Sequence, residues 1–175
     1  MILITGANGW LGLNLVNSIC KGRATKWGQE PDKIRAFVLR GTDKQKLLEI
    51  APDVEIVEGD LNNEKDVEQF FQNVKNAYLF HTAGIIHPKR TSEFYRINRD
   101  ATKNLLKASS KVSIKRAVIV SSNSPCGCNP AIDHVFDESS EYNPYMNYGR
   151  SKMDMEVICN EFSQKGDLDL AIIRA

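Results

Sequence analysis

The sequence lacks an excess of charge of either sign. Its 175 residues include 23 Lys and Arg against 22 Asp and Glu, which leaves a formal net charge of +1. Proteins that bind nucleic acids normally carry a basic surface that neutralises phosphates, and this charge balance predicts none. There is also no block of like charge and no low-complexity segment, which argues against a disordered interaction tail.

Long apolar runs are missing as well. No run approaches the roughly 20 residues that a membrane-spanning helix requires. Met1 stands directly before an apolar strand-like run at residues 2–5, without the basic segment or the cleavage site of a signal peptide. We therefore expect a soluble, cytoplasmic protein that has neither a membrane nor a nucleic acid as its partner.

Cysteine and histidine are scarce and scattered. The four cysteines are Cys20, Cys126, Cys128 and Cys159. One residue separates the middle two, whereas thioredoxin-like motifs have two, so we expect free thiols rather than a disulfide framework. The three histidines, which we expect at surface or turn positions, are His81, His87 and His134. These spacings predict no metal site.

The apolar residues fall in short runs that alternate with segments of helical spacing. The predicted strands are residues 2–5, 34–39, 54–57, 77–80, 117–120 and 168–173. The predicted helices are residues 10–20, 41–50, 64–71, 93–110 and 145–162. Short strands that are apolar from end to end, separated by amphipathic helices, are typical of a parallel sheet covered on both faces. We predict an α/β fold with a doubly wound, Rossmann-type sheet of about six strands, in one domain over residues 1–175.

Two segments lack periodicity. The polar residues 21–33 predict a surface loop, and residues 121–144 follow the fifth strand. The second segment is therefore expected at the carboxyl edge of the sheet, where ligands bind in such folds.

A glycine cluster, Gly6, Gly9 and Gly12, follows the first strand and opens the first helix. Glycines at this spacing allow a tight turn and a close approach of the backbone to a pyrophosphate, which the helix N-terminus can bind. We predict a dinucleotide site here, and a plain glycine turn is the alternative. The candidate cofactor-binding residues of this segment are Gly6, Asn8, Gly9, Trp10, Leu11 and Gly12.

Taken together with later motifs, this segment resembles the extended short-chain dehydrogenase/reductase superfamily. That group includes nucleotide-sugar epimerases and dehydratases, 3β-hydroxysteroid dehydrogenases and dihydroflavonol reductases. The resemblance covers all 175 positions and rests on TGANGWLG at 5–12, GDL at 59–61, HTAG at 81–84, Asn98, SS at 121–122, DE at 137–138 and NPYMNYGRSK at 143–152. It implies an NAD(P)-dependent epimerase, dehydratase or oxidoreductase that acts by hydride transfer.

Tyr148 and Lys152 match the Tyr-x-x-x-Lys pair of this superfamily, and their spacing places them on one helix face. An ammonium beside a tyrosine favours its ionised form, so Tyr148 could exchange a proton with a substrate hydroxyl. The resemblance implies that Lys152 also holds the nicotinamide ribose and that Ser122, with Ser124 as second candidate, bonds the substrate oxygen. The alternative is a tyrosine and a lysine that merely share a solvated face.

The resemblance implies further cofactor contacts. Asp60 and Leu61 should border the adenine, Ala83 and Gly84 should pass the ribose and the pyrophosphate, and Asn98 should orient its helix and touch the cofactor. For Asp60, an ordinary cap before the following helix is the alternative.

Arg40 ends the second strand, where NAD-selective relatives place an acidic residue. A guanidinium suits a 2′-phosphate, and Lys44 could assist it. Between NADP and NAD we therefore expect NADP. The alternatives are an arginine that only caps the strand edge and an Asp43 that reaches the ribose.

Other features limit what can be said of the substrate. Cys126 stands where relatives have an aromatic residue before glycine, so a nucleotide sugar, a steroid-like molecule and other ketones or alcohols all stay open. Trp10 takes the place of a bulky apolar residue, which we expect in the core.

Relatives select substrates with a lobe that follows strand six and that we expect to be missing here. We therefore expect cofactor binding with little or no turnover. The resemblance implies a homodimer that pairs through the helices containing Asn98 and Tyr148. The competing interpretation is a non-catalytic NAD(P)-binding module with a regulatory or redox-sensing role.

Overall fold

Six parallel strands form one sheet in the computed structural model, which describes residues 1–22 and 33–175. The strands are β1 (Ile2–Thr5), β2 (Ile34–Val38), β3 (Glu55–Glu58), β4 (Ala77–His81), β5 (Ile114–Ser121) and β6 (Leu170–Arg174). Their order across the sheet is β3-β2-β1-β4-β5-β6. The predicted Rossmann-type sheet is confirmed, while most of the predicted loop at 21–33 lies outside the described residues.

Helices separate the strands along the chain. They are α1 (Trp10–Cys20), α2 (Gln45–Ile50), α3 (Glu64–Phe70), α4 (Ser92–Phe94), α5 (Ala101–Ser109) and α6 (Asn147–Gln164). A π-helical segment, Tyr95–Asp100, joins α4 to α5. In the described ranges, no helix is both long enough and apolar enough to span a bilayer.

Hydrophobic layers cover both faces of the sheet. One layer contains Val16 of α1 and Leu47 of α2, and the other contains Phe70 of α3, Leu105 of α5 and Met155 of α6. All four residues of β1 are buried between these layers, which is why its first three residues are apolar in succession instead of alternating with polar ones. The doubly wound arrangement is therefore confirmed.

The direction of winding reverses at β1. The chain runs outward from β1 to β3 and then returns to place β4 on the other side of β1. The carboxyl ends of β1 and β4 consequently border a crevice, the usual ligand site of such sheets. The glycine turn follows β1 and residues 82–84 follow β4, so both predicted motifs meet at this crevice.

The helix predicted at residues 41–50 begins only at Gln45. Gly41 adopts a left-handed conformation with φ 74°, which a helix cannot contain. The Asp43 carboxylate then accepts a hydrogen bond from the Gln45 N–H at 2.9 Å and supports the start of the helix. Residues 41–44 therefore form a loop beside the crevice.

Candidate functional site

The turn after β1 is closely packed by its glycines. Gly6 has φ 68°, and a Cβ on it would lie 2.8 Å from the backbone of Ala83. A Cβ on Gly12 would lie 2.2 Å from the Gly6 carbonyl oxygen, whereas one on Gly9 would meet only that same oxygen, at 3.2 Å. Gly6 and Gly12 are thus required by the packing of the turn. The packing does not require Gly9, whose missing side chain instead leaves the first N–H groups of α1 accessible.

The N-terminus of α1 has no side-chain cap at Gly9 and no acidic residue in its first turn. The first N–H groups of a helix lack intrahelical partners and carry partial positive charge, so this end can bind a pyrophosphate. The Asn8 amide donates to the Thr42 hydroxyl at 2.8 Å and to the Asp43 carbonyl at 3.1 Å. Asn8 therefore ties the turn to the loop after β2.

A pocket of about 360 Å³ lies beside this turn. The predicted cofactor-binding residues that line it are Gly6, Asn8, Gly9, Asp60, Leu61, Ala83 and Gly84. Lining residues that the sequence did not indicate include Phe37, Leu39, Asn62, Arg96 and Ile97. The remaining candidates in the glycine segment, Trp10, Leu11 and Gly12, do not line this pocket.

Asp60 lines the pocket, and hydrogen bonds hold both its backbone and its carboxylate in place. Its Oδ1 accepts hydrogen bonds from the Asn62 backbone N–H at 2.9 Å and from the Asn62 amide at 3.0 Å. The residue that caps α3 is Asn63, not Asp60. The alternative of an ordinary helix cap is therefore wrong for Asp60, whose Oδ2 lies on the side of Arg96.

The Arg40 guanidinium is held by the Asp66 carboxylate through two hydrogen bonds, of 2.8 Å and 2.6 Å. This contact raises the pKa of Arg40 and lowers that of Asp66. The Asp66 carboxylate also accepts from the Asp60 N–H at 2.9 Å, so it joins the end of β2 to the 59–61 loop. Lys44 is paired with Glu58. The interpretation of Arg40 and Lys44 changes, because each cation is already paired with a carboxylate that offsets its positive charge.

Lys152 is carried by α6 to the carboxyl ends of the strands. Its Nζ donates to the Val120 carbonyl at 3.0 Å, and a Cβ on Gly84 would lie 3.5 Å from the same atom. Burial lowers the pKa of Lys152 to about 8. The ammonium is therefore fixed beside the backbone of residues 83–84, which also lines the pocket.

Tyr148 and the predicted serines come from two segments that pack together. The Ser122 and Ser124 hydroxyls lie 3.1 Å apart, just after β5. A Cβ on Gly149 would lie 2.6 Å from the Ser124 carbonyl oxygen, so the first turn of α6 rests on this serine loop. The half-buried Tyr148 ring has its centroid 6.0 Å from that of Phe94.

Asn98 is fully buried in the π-helical segment, and it does not line the pocket. Its Oδ1 accepts from the Ile85 N–H at 2.9 Å, and its amide donates to the Ile85 carbonyl at 3.1 Å and to the Ser151 hydroxyl at 3.0 Å. Ser151 in turn donates to the Tyr148 carbonyl at 2.8 Å. Asn98 thus orients the segment after β4 relative to the helix of Tyr148 and Lys152.

Two expectations from the sequence are wrong. Trp10 is 82% exposed instead of buried in the core, because it opens α1 at the edge of the sheet, beyond the hydrophobic layers. His81 is 1% exposed instead of lying at the surface, because it ends the central strand β4. Its Nδ1 and Nε2 lie 2.6 Å and 2.8 Å from the hydroxyls of Thr5 and Thr102.

A buried ion pair on α6 was also not indicated by the sequence. The fully buried Glu156 carboxylate pairs with Arg174 at 2.8 Å and accepts hydrogen bonds from the hydroxyls of Ser121 and Tyr142. A cavity of about 1120 Å³ borders this pair and contains none of the predicted cofactor-binding residues. Helical spacing places Glu156 one turn after Lys152, but nothing local in the sequence pairs it with Arg174.

A model of the NAD dependent epimerase/dehydratase family matches residues 2–175. The uncharacterized protein y4nL of Sinorhizobium fredii is 40% identical over 178 residues, which cover 100% of this chain and 49% of that protein. The D-erythronate dehydrogenase of Cupriavidus necator is 26% identical over 176 residues, which cover 99% of this chain and 53% of that enzyme. The chain therefore spans about half the length of these curated relatives.

The fold is shared with solved structures. The crystal structure of DesIV, a dTDP-glucose 4,6-dehydratase from Streptomyces venezuelae with NAD and TYD bound, matches with a TM-score of 0.86 at 22% identity. The match covers 99% of this chain and 54% of that one. The NAD complex of the UDP-glucose 4-epimerase from Thermus thermophilus matches with a TM-score of 0.79 at 21% identity, covering 99% and 54%.

Proposed function

Since the chain belongs to the NAD dependent epimerase/dehydratase family, we propose that it binds a nicotinamide dinucleotide and supplies the proton-transfer residues for hydride transfer. The observation that carries this proposal is the pocket of about 360 Å³ beside the uncapped start of α1. A dinucleotide needs an apolar space for its adenosine and backbone donors for its pyrophosphate, and this crevice offers both.

The residues around the pocket fit such a cofactor. Leu61 and Phe37 give an apolar lining, and Asp60 offers a carboxylate oxygen to an exocyclic amine. Any side chain at Gly9 would stand at the open start of α1. Because Gly84 has no side chain, the Lys152 ammonium lies close to the backbone that would border a ribose.

The bound dinucleotide would supply the hydride acceptor or donor. Tyr148 would pass a proton to or from the substrate oxygen, and Lys152, one turn further along the same helix, would hold the nicotinamide ribose. With its pKa at about 8, Lys152 stays charged at neutral pH despite its burial. Ser122 would hold the substrate oxygen, with Ser124 positioned to orient the Ser122 hydroxyl.

We propose NAD as the cofactor rather than the NADP that Arg40 suggested. The Arg40 guanidinium is committed to Asp66, and the Lys44 ammonium to Glu58. The Glu58 carboxylate also accepts from the Gly41 N–H at 3.4 Å, which puts a negative charge beside the loop after β2. A 2′-phosphate would meet this carboxylate beside two cations whose charge is already balanced, whereas a free 2′-hydroxyl would meet no charge repulsion.

The reaction of the whole enzyme is a further proposal. Relatives are about twice as long as this chain and include a D-erythronate dehydrogenase and a lipid-linked N-acetylglucosaminyl diphosphate 4-epimerase of Escherichia coli O157:H7. We propose that residues 1–175 act as the cofactor-binding domain for an alcohol or ketone substrate such as a nucleotide sugar. A homodimer through the helices of Asn98 and Tyr148, and a cytoplasmic location, stay predictions.

The test is to titrate the purified chain with NAD by calorimetry. We expect saturable binding of one NAD per chain, and absence of binding would overturn the proposal. The Tyr148→Phe variant should bind NAD as the parent does. It should lose any turnover of nucleotide sugars or sugar acids by about a hundredfold or more, as expected for removal of a proton donor. Measurable turnover by the parent that is equally fast in this variant would refute the role of Tyr148.

A further inference from the structure

The pocket beside the glycine turn has a mostly apolar lining and only one pair of charged side chains among the described residues that line it. These are Asp60, from the loop after β3, and Arg96, from the π-helical segment. Arg96 Nη1 lies 3.5 Å from Asp60 Oδ2, and about half of each side chain is exposed. The pair therefore stands at the mouth of the pocket and not in its floor.

The contact between Arg96 and Asp60 is easily rearranged. A single long, solvent-exposed contact of this kind is worth little, because water screens it and two side chains must be ordered to make it. The Asp60 carboxylate does not depend on Arg96 for its orientation, since Oδ1 is already fixed by two hydrogen bonds from Asn62. Arg96 can thus move aside while Asp60 keeps its position.

The base from which Arg96 extends is rigid. Two residues later, Asn98 is fully buried and makes hydrogen bonds to both polar backbone atoms of Ile85. Next to Arg96, Ile97 lines the same pocket. The guanidinium is therefore tethered within reach of the pocket mouth, although its head is free to turn.

We infer that Arg96 is a cofactor-binding residue that covers the adenine by stacking its planar guanidinium on the exposed purine face. This inference rests on the proposed function, and it assigns a role that neither the motifs nor the family resemblance gave to Arg96. A guanidinium is planar and weakly hydrated, which suits stacking on an aromatic face, whereas an ammonium offers a point charge alone. Asp60 Oδ2, released from Arg96, becomes free to accept a hydrogen bond from the adenine amine.

The experiment compares the affinities of NAD and AMP for the parent chain and for three variants. Arg96→Ala should weaken both ligands by the same factor, about five- to tenfold, because both contain the adenine that loses its cover. Arg96→Lys should behave like Arg96→Ala, since it keeps the charge without the plane. Arg90→Ala removes an exposed arginine that does not line the pocket and serves as the matched control. Circular dichroism checks that each variant is folded.

Three results would overturn the inference while leaving the proposed function intact. They are an Arg96→Ala variant with the parent's affinities, a loss confined to NAD, and an Arg96→Lys variant that binds like the parent. The second would place Arg96 on the pyrophosphate or the nicotinamide half, and the third would reduce its role to charge. A parent chain that binds neither NAD nor AMP would instead refute the proposed function itself, and the inference with it.

Discussion

His81 and Thr102 are joined by a buried hydrogen bond that determines which imidazole nitrogen carries the proton. The Thr102 hydroxyl donates its one proton to the Asn98 carbonyl at 2.7 Å, so it can only accept from His81 Nε2, at 2.8 Å. His81 Nδ1 then accepts from the Thr5 hydroxyl at 2.6 Å. Both nitrogens are satisfied by a neutral ring, and burial lowers the pKa of His81 to about 3, with a smaller effect from the charge of Lys152.

This burial makes stability depend on pH. In the unfolded chain His81 has its ordinary pKa of about 6.5, so below this pH the unfolded state binds a proton that the folded state refuses. The contribution of the neutral His81 ring to the free energy of unfolding is therefore complete above about pH 6.5. It is lost progressively as the pH falls towards 3. Between pH 7 and pH 5 the free energy of unfolding should drop by about 2 kcal/mol from this group. Urea unfolding at the two pH values measures the drop.

The His81→Gln variant isolates the contribution of the imidazole. Glutamine keeps a hydrogen-bond donor and an acceptor but cannot titrate. The variant should be less stable at pH 7 by about 1–3 kcal/mol, and most of the decrease in the free energy of unfolding between pH 7 and pH 5 should disappear. His87→Gln removes an exposed histidine and should leave the drop unchanged. An equal pH dependence in His81→Gln and in the parent would contradict the buried neutral imidazole.

In the glycine turn, we expect that Gly12 is required for folding, whereas Gly9 is required for cofactor binding. Gly12→Ala would place a Cβ 2.2 Å from a backbone oxygen of the same turn, so we expect a loss of about 3 kcal/mol or more in stability. Gly9→Ala meets its nearest atom at 3.2 Å and should stay within about 1 kcal/mol of the parent. Its methyl group would nevertheless stand where the pyrophosphate approaches, and calorimetry should show NAD binding weakened by about tenfold. Gly9→Ala with the parent's NAD affinity would contradict the placement of the pyrophosphate.

The features that could be predicted are those that depend on residues adjacent along the chain. The bounds of β1 and α1 coincide with the predicted residues 2–5 and 10–20, because an apolar run, a glycine cluster and a helical spacing follow one another directly. Asp60 and Lys152 were indicated as cofactor-binding residues because each lies within a short motif, and these roles stay predictions. The parallel sheet was predicted from strands that are apolar from end to end and separated by amphipathic helices.

Features that depend on distant partners could not be predicted. Asp66 is an unremarkable helix residue until the fold brings Arg40, 26 positions earlier, to its carboxylate. Arg96 is 36 positions from Asp60, and only the fold places both at one pocket. Trp10 was expected in the core because relatives have a bulky apolar residue at this position, yet that correspondence does not tell which end of the helix emerges from the sheet.

The pairing of Arg40 with Asp66 predicts how cofactor choice can be altered. Asp66→Asn keeps an oxygen that accepts from the Asp60 N–H but removes the charge that holds the guanidinium. Arg40 then becomes available to a 2′-phosphate, so the affinity for NADP relative to NAD should rise by about tenfold. Asp53→Asn, an exposed change in the turn before β3 that does not line the pocket, serves as the control and should leave the ratio unchanged. An unchanged ratio in Asp66→Asn would show that Arg40 does not reach the adenosine ribose.

The buried ammonium of Lys152 is expected to lower the stability of the fold at pH 7 while it supports NAD binding. Burial of its ammonium lowers the pKa of Lys152 from 10.5 to about 8, so at pH 7 the folded state bears the cost of a buried charge. Lys152→Met should therefore be more stable than the parent at pH 7, by about 1–2 kcal/mol after the loss of the bond to Val120, while binding NAD more weakly. Above pH 8 the folded parent releases this proton, while the unfolded chain retains it up to about pH 10.5. The parent therefore gains stability, and the difference in unfolding free energy between the parent and the variant should shrink towards pH 10.

Lys165→Met, at an exposed lysine, serves as the control and should show neither the gain in stability at pH 7 nor its pH dependence in urea unfolding. A Lys152→Met variant that is less stable than the parent at pH 7 would mean that the ammonium contributes more to the fold through its contacts than its burial costs.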